Sequence, residues 1–124
     1  MIFFQVEIPA ASMQAAPVHS NPPRQPLADM PPEWREMALV FIALGDEHRQ
    51  RILLSFTRGE RMNAGQIAAV STLSRPAVSH HLKVLRQAGV LVAEKEGREI
   101  WYSVNRAPLE HTLSTVLGYV RDNA

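Results

Sequence analysis

Between residues 74 and 88 the chain reads SRPAVSHHLKVLRQA, with three long cations, two adjacent histidines and no acid. At helical spacing Val78, Leu82, Leu85 and Ala88 share one face, which leaves Arg75, Ser79, His80, Lys83 and Arg86 on the other. All five are hydrogen-bond donors. Such a set suits double-stranded DNA, because long cations reach phosphates or guanine edges while short hydroxyl and imidazole groups meet bases at close approach. A solvated basic face on an ordinary helix carries similar residues, so the helix alone leaves both readings standing. A second pair of cations, Lys95 and Arg98, lies in the run EKEGRE at 94–99. At the tip of a hairpin they would straddle phosphates or a minor groove beside the helix. Glu94, Glu96 and Glu99 flank them, so the helix is expected to dominate binding.

The histidine pair invites a metal. Neighbours on a helix point about 100° apart, so His80 and His81 cannot hold one ion from the same face. His80 is expected to face DNA and His81 the packing side. The chain has no cysteine, which removes disulfides, thiolate metal sites and cysteine nucleophiles together. It also has no glycine-rich phosphate loop, no nucleophile-turn serine and no paired carboxylates in a cleft. Neither an enzyme nor a cofactor is expected. An alternative stays open in which His19, His48 or His111 joins Glu110 across two subunits to make a non-standard metal site.

The elements that must position these groups follow from local signals. Seven of the nine prolines fall in residues 1–32, so this extension sustains neither a helix nor a central strand and is expected to be flexible. Residues 33–124 then make one domain. Trp34, Met37, Ala38, Phe41, Ile42 and Leu44 recur at helical steps after Pro31-Pro32. Gly45-Asp46 stops that helix and caps the next, whose buried face is Ile52, Leu53 and Phe56 and whose end is Arg58-Gly59. Asn63 with Gln66 has capping-box spacing and opens a short helix. Ser74 caps the basic helix, with Pro76 in its first turn and Gly89 at its end.

From Val90 the period becomes extended, and two β-prone runs around Gly97 read as a hairpin over 91–104. Pro108 opens a last helix whose Leu109, Leu113, Val116, Leu117 and Val120 exceed what a thin domain buries alone, pointing to a subunit interface. Short helix, turn, longer helix and hairpin make a winged helix-turn-helix, mainly α with a β-hairpin wing. A winged helix can also dock proteins, which is the rival reading. The net charge of +1 argues for no partner by itself. With no basic leader before the apolar start and no run of about 20 apolar residues, a cytoplasmic protein with no membrane partner is expected.

The run LSRPAVSHHLKVLRQAGVLVAEKEGREIWYSV resembles the recognition helix and wing of the ArsR family of bacterial winged-helix repressors, and LGDEHRQRILLSF resembles its second helix. The likeness covers roughly residues 33–120. It implies a homodimer joined through its first and last helices, here through Trp34, Met37, Phe41, Leu113, Val116, Leu117 and Val120. It implies an inverted-repeat operator, with Ser79 and His80 near bases, Arg75 and Lys83 on phosphates or bases, and Arg98 on the wing contact. Many members resemble metal sensors that use cysteines near the recognition unit or an Asp-x-His on the last helix. The first arrangement is impossible here, and the second fails because Leu109 stands two residues before His111.

Overall fold

The computed structural model describes residue 23 and residues 29–124. The proline-rich extension expected over 1–32 therefore lies almost wholly outside the described residues, as does His19. Five helices and three strands follow in the order α1 Pro32–Leu44, α2 Glu47–Ser55, β1 Met62–Asn63, α3 Ala64–Ala69, α4 Arg75–Gln87, β2 Leu91–Glu96, β3 Glu99–Val104 and α5 Arg106–Asn123. This is the mainly helical winged helix-turn-helix that the sequence leads one to expect.

The start and stop signals act through their side chains. Asp46 accepts from the Arg49 backbone N–H at 3.1 Å and caps α2. Asn63 accepts from Gln66 N–H at 2.8 Å while the Gln66 side chain accepts from Asn63 N–H at 3.0 Å, completing the capping box of α3. Ser74 Oγ accepts from Ala77 N–H at the head of α4. At its tail Gly89 has a φ of +76°. There Gly89 N–H donates to Arg86 and Val90 N–H to Leu85, the Schellman pattern in which the last carbonyls find donors and the flanking apolar pair meets. Both Val90 and Leu85 are buried in the core. That closure sets where β2 leaves the recognition helix.

Several boundaries differ from expectation. Helix α2 stops at Ser55, before Arg58-Gly59, because Phe56 already has extended backbone. Helix α5 starts at Arg106 rather than Pro108, whose missing amide donor costs nothing in the first turn. The hairpin gains a third strand, since β1 pairs antiparallel with β3 through Met62↔Tyr102 and Asn63↔Trp101. A two-residue strand has no periodicity to read, and its pairing is long-range.

The core gathers Ile67, Val78, Leu82, Leu85, Val90 and Leu91 with Ile52 and Val40 around the inner face of α4. In α1 the buried stripe is Met37, Val40 and Ala43. Met37, expected at a subunit interface, is only 2% exposed within the single chain. Its three-residue step to Val40 turns it inward, which corrects that expectation: it has no surface left to offer a partner.

Candidate nucleic-acid interface

Helix α4 buries Val78, Leu82 and Leu85 and exposes Arg75, Ser79, His80, Lys83 and Arg86. At about 100° per residue, His80 and Lys83 lie opposite the buried stripe, and Arg75 and Ser79 lie toward one edge of the exposed face. That edge faces the wing. Arg75 and Ser79 line one open cleft together with Asn63, Gly65, Tyr102 and the tip residue Arg98. The structure thus brings the wing cation to the same concavity as two of the helix donors.

The wing is a two-residue hairpin in which Glu96 pairs with Glu99 and Gly97-Arg98 form the loop. Gly97 takes a φ of +64°, which suits glycine at the first loop position of such a turn. Strand alternation then sorts the charges. Lys95 shares a face with buried Leu91, and its partner Ile100 lines the cleft beside α4. Glu94 and Glu96 point to the other face, where Arg61 bonds Glu96 at 2.6 Å and approaches Glu94 at 3.7 Å. The Arg61 guanidinium also stands 5.2 Å from the centroid of the Trp101 ring. The mixed charge of the wing is therefore partly segregated: Glu94 and Glu96 turn from the recognition helix toward Arg61, whereas Glu99 lines the cleft with Arg75, Ser79 and Arg98.

Arg61 was missed by sequence reasoning because it reaches Glu94, Glu96 and Trp101 only through the β1–β3 pairing. Asn63 and Tyr102 enter the cleft by the same long-range route. No local signal marks any of these three as part of the site.

The two histidines separate. His80 is exposed, whereas the His81 side chain is 12% exposed and its Nδ1 meets Arg49 Nη1 at 3.1 Å. Asp46 Oδ1 lies 4.0 Å from the same nitrogen. Burial holds the His81 pKa below the ordinary imidazole value; Asp46 opposes this, and Arg49, His80 and His48 add to it. The Asp46 carboxyl is itself held below the usual range, chiefly by the Arg49 backbone N–H that it caps.

Two of the residues considered for a metal, His111 and Glu110, have other partners. His111 Nε2 lies 2.8 Å from Glu33 Oε1 across α1 and α5, and Glu110 pairs with Arg106 at 2.7 Å. Among the described residues no three His, Asp or Glu side chains are grouped to hold an ion. Also among the described residues, no helix is long and apolar enough to cross a membrane.

The apolar residues expected at a subunit interface lie on the surfaces of α1 and α5. Phe41, Leu113, Leu117 and Val120 are all more than two-fifths exposed, and Trp34 and Val116 are partly buried. Trp34 packs edge-on against Tyr119 at 5.8 Å between centroids, which ties the two helices together. Ile42 adds exposed apolar surface, as do Leu39 and Tyr119, which the sequence pattern did not single out.

Residues 46–92 match the family model described as bacterial regulatory protein, arsR family. The chain is 37% identical over 81 residues to the transcriptional repressor SdpR of Bacillus subtilis, covering 65% of this chain and 89% of that protein. It is 39% identical over 90 residues to the HTH-type transcriptional regulator CmtR of Mycobacterium tuberculosis, covering 71% and 75%. Among solved structures, an ArsR-like transcriptional regulator from Rhodococcus superposes with a TM-score of 0.65 at 35% identity, covering 72% of this chain and 83% of that one.

Proposed function

This chain belongs to the arsR family of bacterial regulatory proteins, and from that premise we propose that it represses transcription by binding an inverted-repeat operator as a homodimer. Its place in the family makes it a DNA-binding transcriptional regulator, in line with relatives that are themselves regulators rather than enzymes. The repressor reading draws on SdpR, which bears that name.

One observation carries the DNA geometry. The five α4 donors are exposed with no acid among them, and Arg75 and Ser79 share their cleft with wing-tip Arg98. Helix α4 enters the major groove, with Ser79 and His80 at base edges and Arg75, Lys83 and Arg86 on phosphates or guanine edges. Lys95 and Arg98 lie along the neighbouring backbone.

The dimer joins through α1 and α5, by Trp34, Phe41, Leu113, Val116, Leu117 and Val120. Its two-fold axis sets the recognition helices into grooves about one helical turn, roughly 34 Å, apart. In this reading residues 33–124 are the DNA-binding and dimerisation unit, residues 1–32 are an extension to it, neither metal nor cofactor takes part, and the protein works in the cytoplasm, where bacterial DNA is.

Fluorescence anisotropy on a labelled duplex from upstream of the protein's own gene, at two salt concentrations, tests this. Affinity for the native duplex should exceed that for a scrambled one and fall steeply with salt as counterions are released. Equal affinity for both at each salt concentration sinks the operator reading and favours a protein-docking role.

A further inference from the structure

Outside the DNA-facing donors, one side chain joins three elements of the fold. Arg49 Nε donates to the Ala43 carbonyl at 3.0 Å, Nη2 to the Ile42 carbonyl at 2.8 Å, and Nη1 meets His81 Nδ1 at 3.1 Å. The first two bonds go to last-turn carbonyls of α1; that of Ile42 also accepts from the Gly45 N–H at 3.3 Å. The third crosses to the recognition helix. Ile42 takes part twice, giving its carbonyl to Arg49 and its side chain, 58% exposed, to the apolar surface of α1.

A guanidinium has donors only, so His81 Nδ1 must accept in this bond. The ring is therefore neutral, with its proton on Nε2. A protonated ring would turn an N–H and a second positive charge toward Arg49. The groups facing this ring are Asp46 from the α1–α2 corner, Arg49 and His48 from α2, and His80 from its own helix. Asp46 Oδ1 is 4.0 Å from Nδ1, and the His48 and His80 ring centroids are 5.8 and 5.5 Å away. One carboxylate favours the imidazolium, while burial, the guanidinium and the two neighbouring rings favour the neutral form.

We propose that Arg49 is a positioning residue for DNA recognition: its bond to neutral His81 fixes α4 against the α1–α2 corner, and protonation of that ring releases it. The inference rests on the reading of the chain as a dimeric DNA binder. Because α1 carries part of the subunit surface, the same bond relates the dimer to the angle at which each recognition helix is presented. Arg49 touches none of the residues assigned to DNA, so its effect passes through His81.

The experiment compares wild type, His81→Asn and Arg49→Lys by anisotropy on the upstream duplex at constant ionic strength, from about pH 7.5 to about pH 5.5. The wild type is expected to lose affinity about tenfold as the pH falls, since a hydrogen bond to a charged group is lost. His81→Asn keeps an acceptor oxygen near the Nδ1 position and does not titrate, so it should hold its affinity at low pH. Arg49→Lys, with one ammonium for acceptors on two elements, should bind about tenfold more weakly at neutral pH. A His81→Asn profile that superimposes on the wild type overturns the proposal.

Ring-nitrogen NMR shifts of the free wild-type protein separate this failure from failure of the DNA reading. They should report an Nε2–H tautomer at neutral pH, with protonation below the ordinary value of about 6.5. An Nδ1–H tautomer overturns the proposal whether or not DNA binds. If wild type does not prefer its upstream duplex to a scrambled one, the DNA reading fails, and the NMR result alone decides whether the Arg49–His81 bond exists as described. Should Arg49→Lys not fold, His81→Asn and the wild-type spectrum still decide.

Discussion

The rings of His80 and His81 stand 5.5 Å apart, yet one opens to solvent and the other is held against Arg49. Adjacent positions on one helix have been given separate work by the rotation of about 100° between them. His80→Ala should therefore leave the melting temperature unchanged and cost on the order of 1 to 3 kcal/mol in binding, concentrated at particular base pairs. Duplexes carrying single-base changes check this. A loss spread evenly over every base would show that the base-reading face lies elsewhere.

Arg98 sits on the two-residue loop at the wing tip, exposed and at the mouth of the cleft with Arg75 and Ser79. Its expected partner is a phosphate, which has no sequence. Arg98→Ala should weaken native and scrambled duplexes alike and lower the slope of log affinity against log salt by about one ion. Titrations at several salt concentrations measure that slope. A loss confined to the native duplex would make Arg98 a base reader.

Much of what positions the α4 donors and the wing was legible in the chain because it is built from short-range rules. The caps Asp46, Asn63 and Ser74, the glycines at 89 and 97 and the Val78, Leu82 and Leu85 stripe are each read within a few residues, and each does what its type requires. What stayed hidden depends on residues far apart in sequence. Arg61 meets Glu96 across 35 positions and Arg49 meets His81 across 32. Met37 was misplaced for a related reason: an apolar helix with few polar interruptions does not say which of its faces turns inward.

Arg61 offers a test of the segregated wing. Arg61→Ala would leave Glu94 and Glu96 without their cation on the strand that the proposed function sets beside phosphates. All three side chains are well exposed, so folding stability should change by only about 0 to 1 kcal/mol. DNA affinity should fall several-fold at low salt and recover toward wild type at high salt, because the repulsion is screened over about a Debye length. Thermal melts and anisotropy at low and high salt read the two effects separately. A salt-independent loss would instead mean that Arg61 shapes the wing rather than its charge.

The hydrogen bond of His111 with Glu33 and the ion pair of Glu110 with Arg106 engage two of the groups that a non-standard metal site would use. Zinc or nickel at stoichiometric concentration, and a chelator, should each leave the DNA-binding isotherm where it is. Release of the duplex by either metal would contradict this and make His111 and Glu110 the first residues to substitute.

On α5, Leu113, Leu117 and Val120 follow one another at helical steps of four and three, and each is about half exposed in the single chain. Such a stripe is costly to leave in water and ready to pair with its own copy about a two-fold axis. Leu117→Glu would put two like charges near the proposed axis: the wild type is expected to sediment as a dimer and the variant, at the same concentration, as a monomer. The dependence of melting temperature on protein concentration should vanish with it, since mass action no longer links folding to association. Operator affinity should drop sharply, because each recognition helix then binds without the effective concentration that its twin supplies. A Leu117→Glu protein that remains dimeric by sedimentation would move the interface off this face of α5.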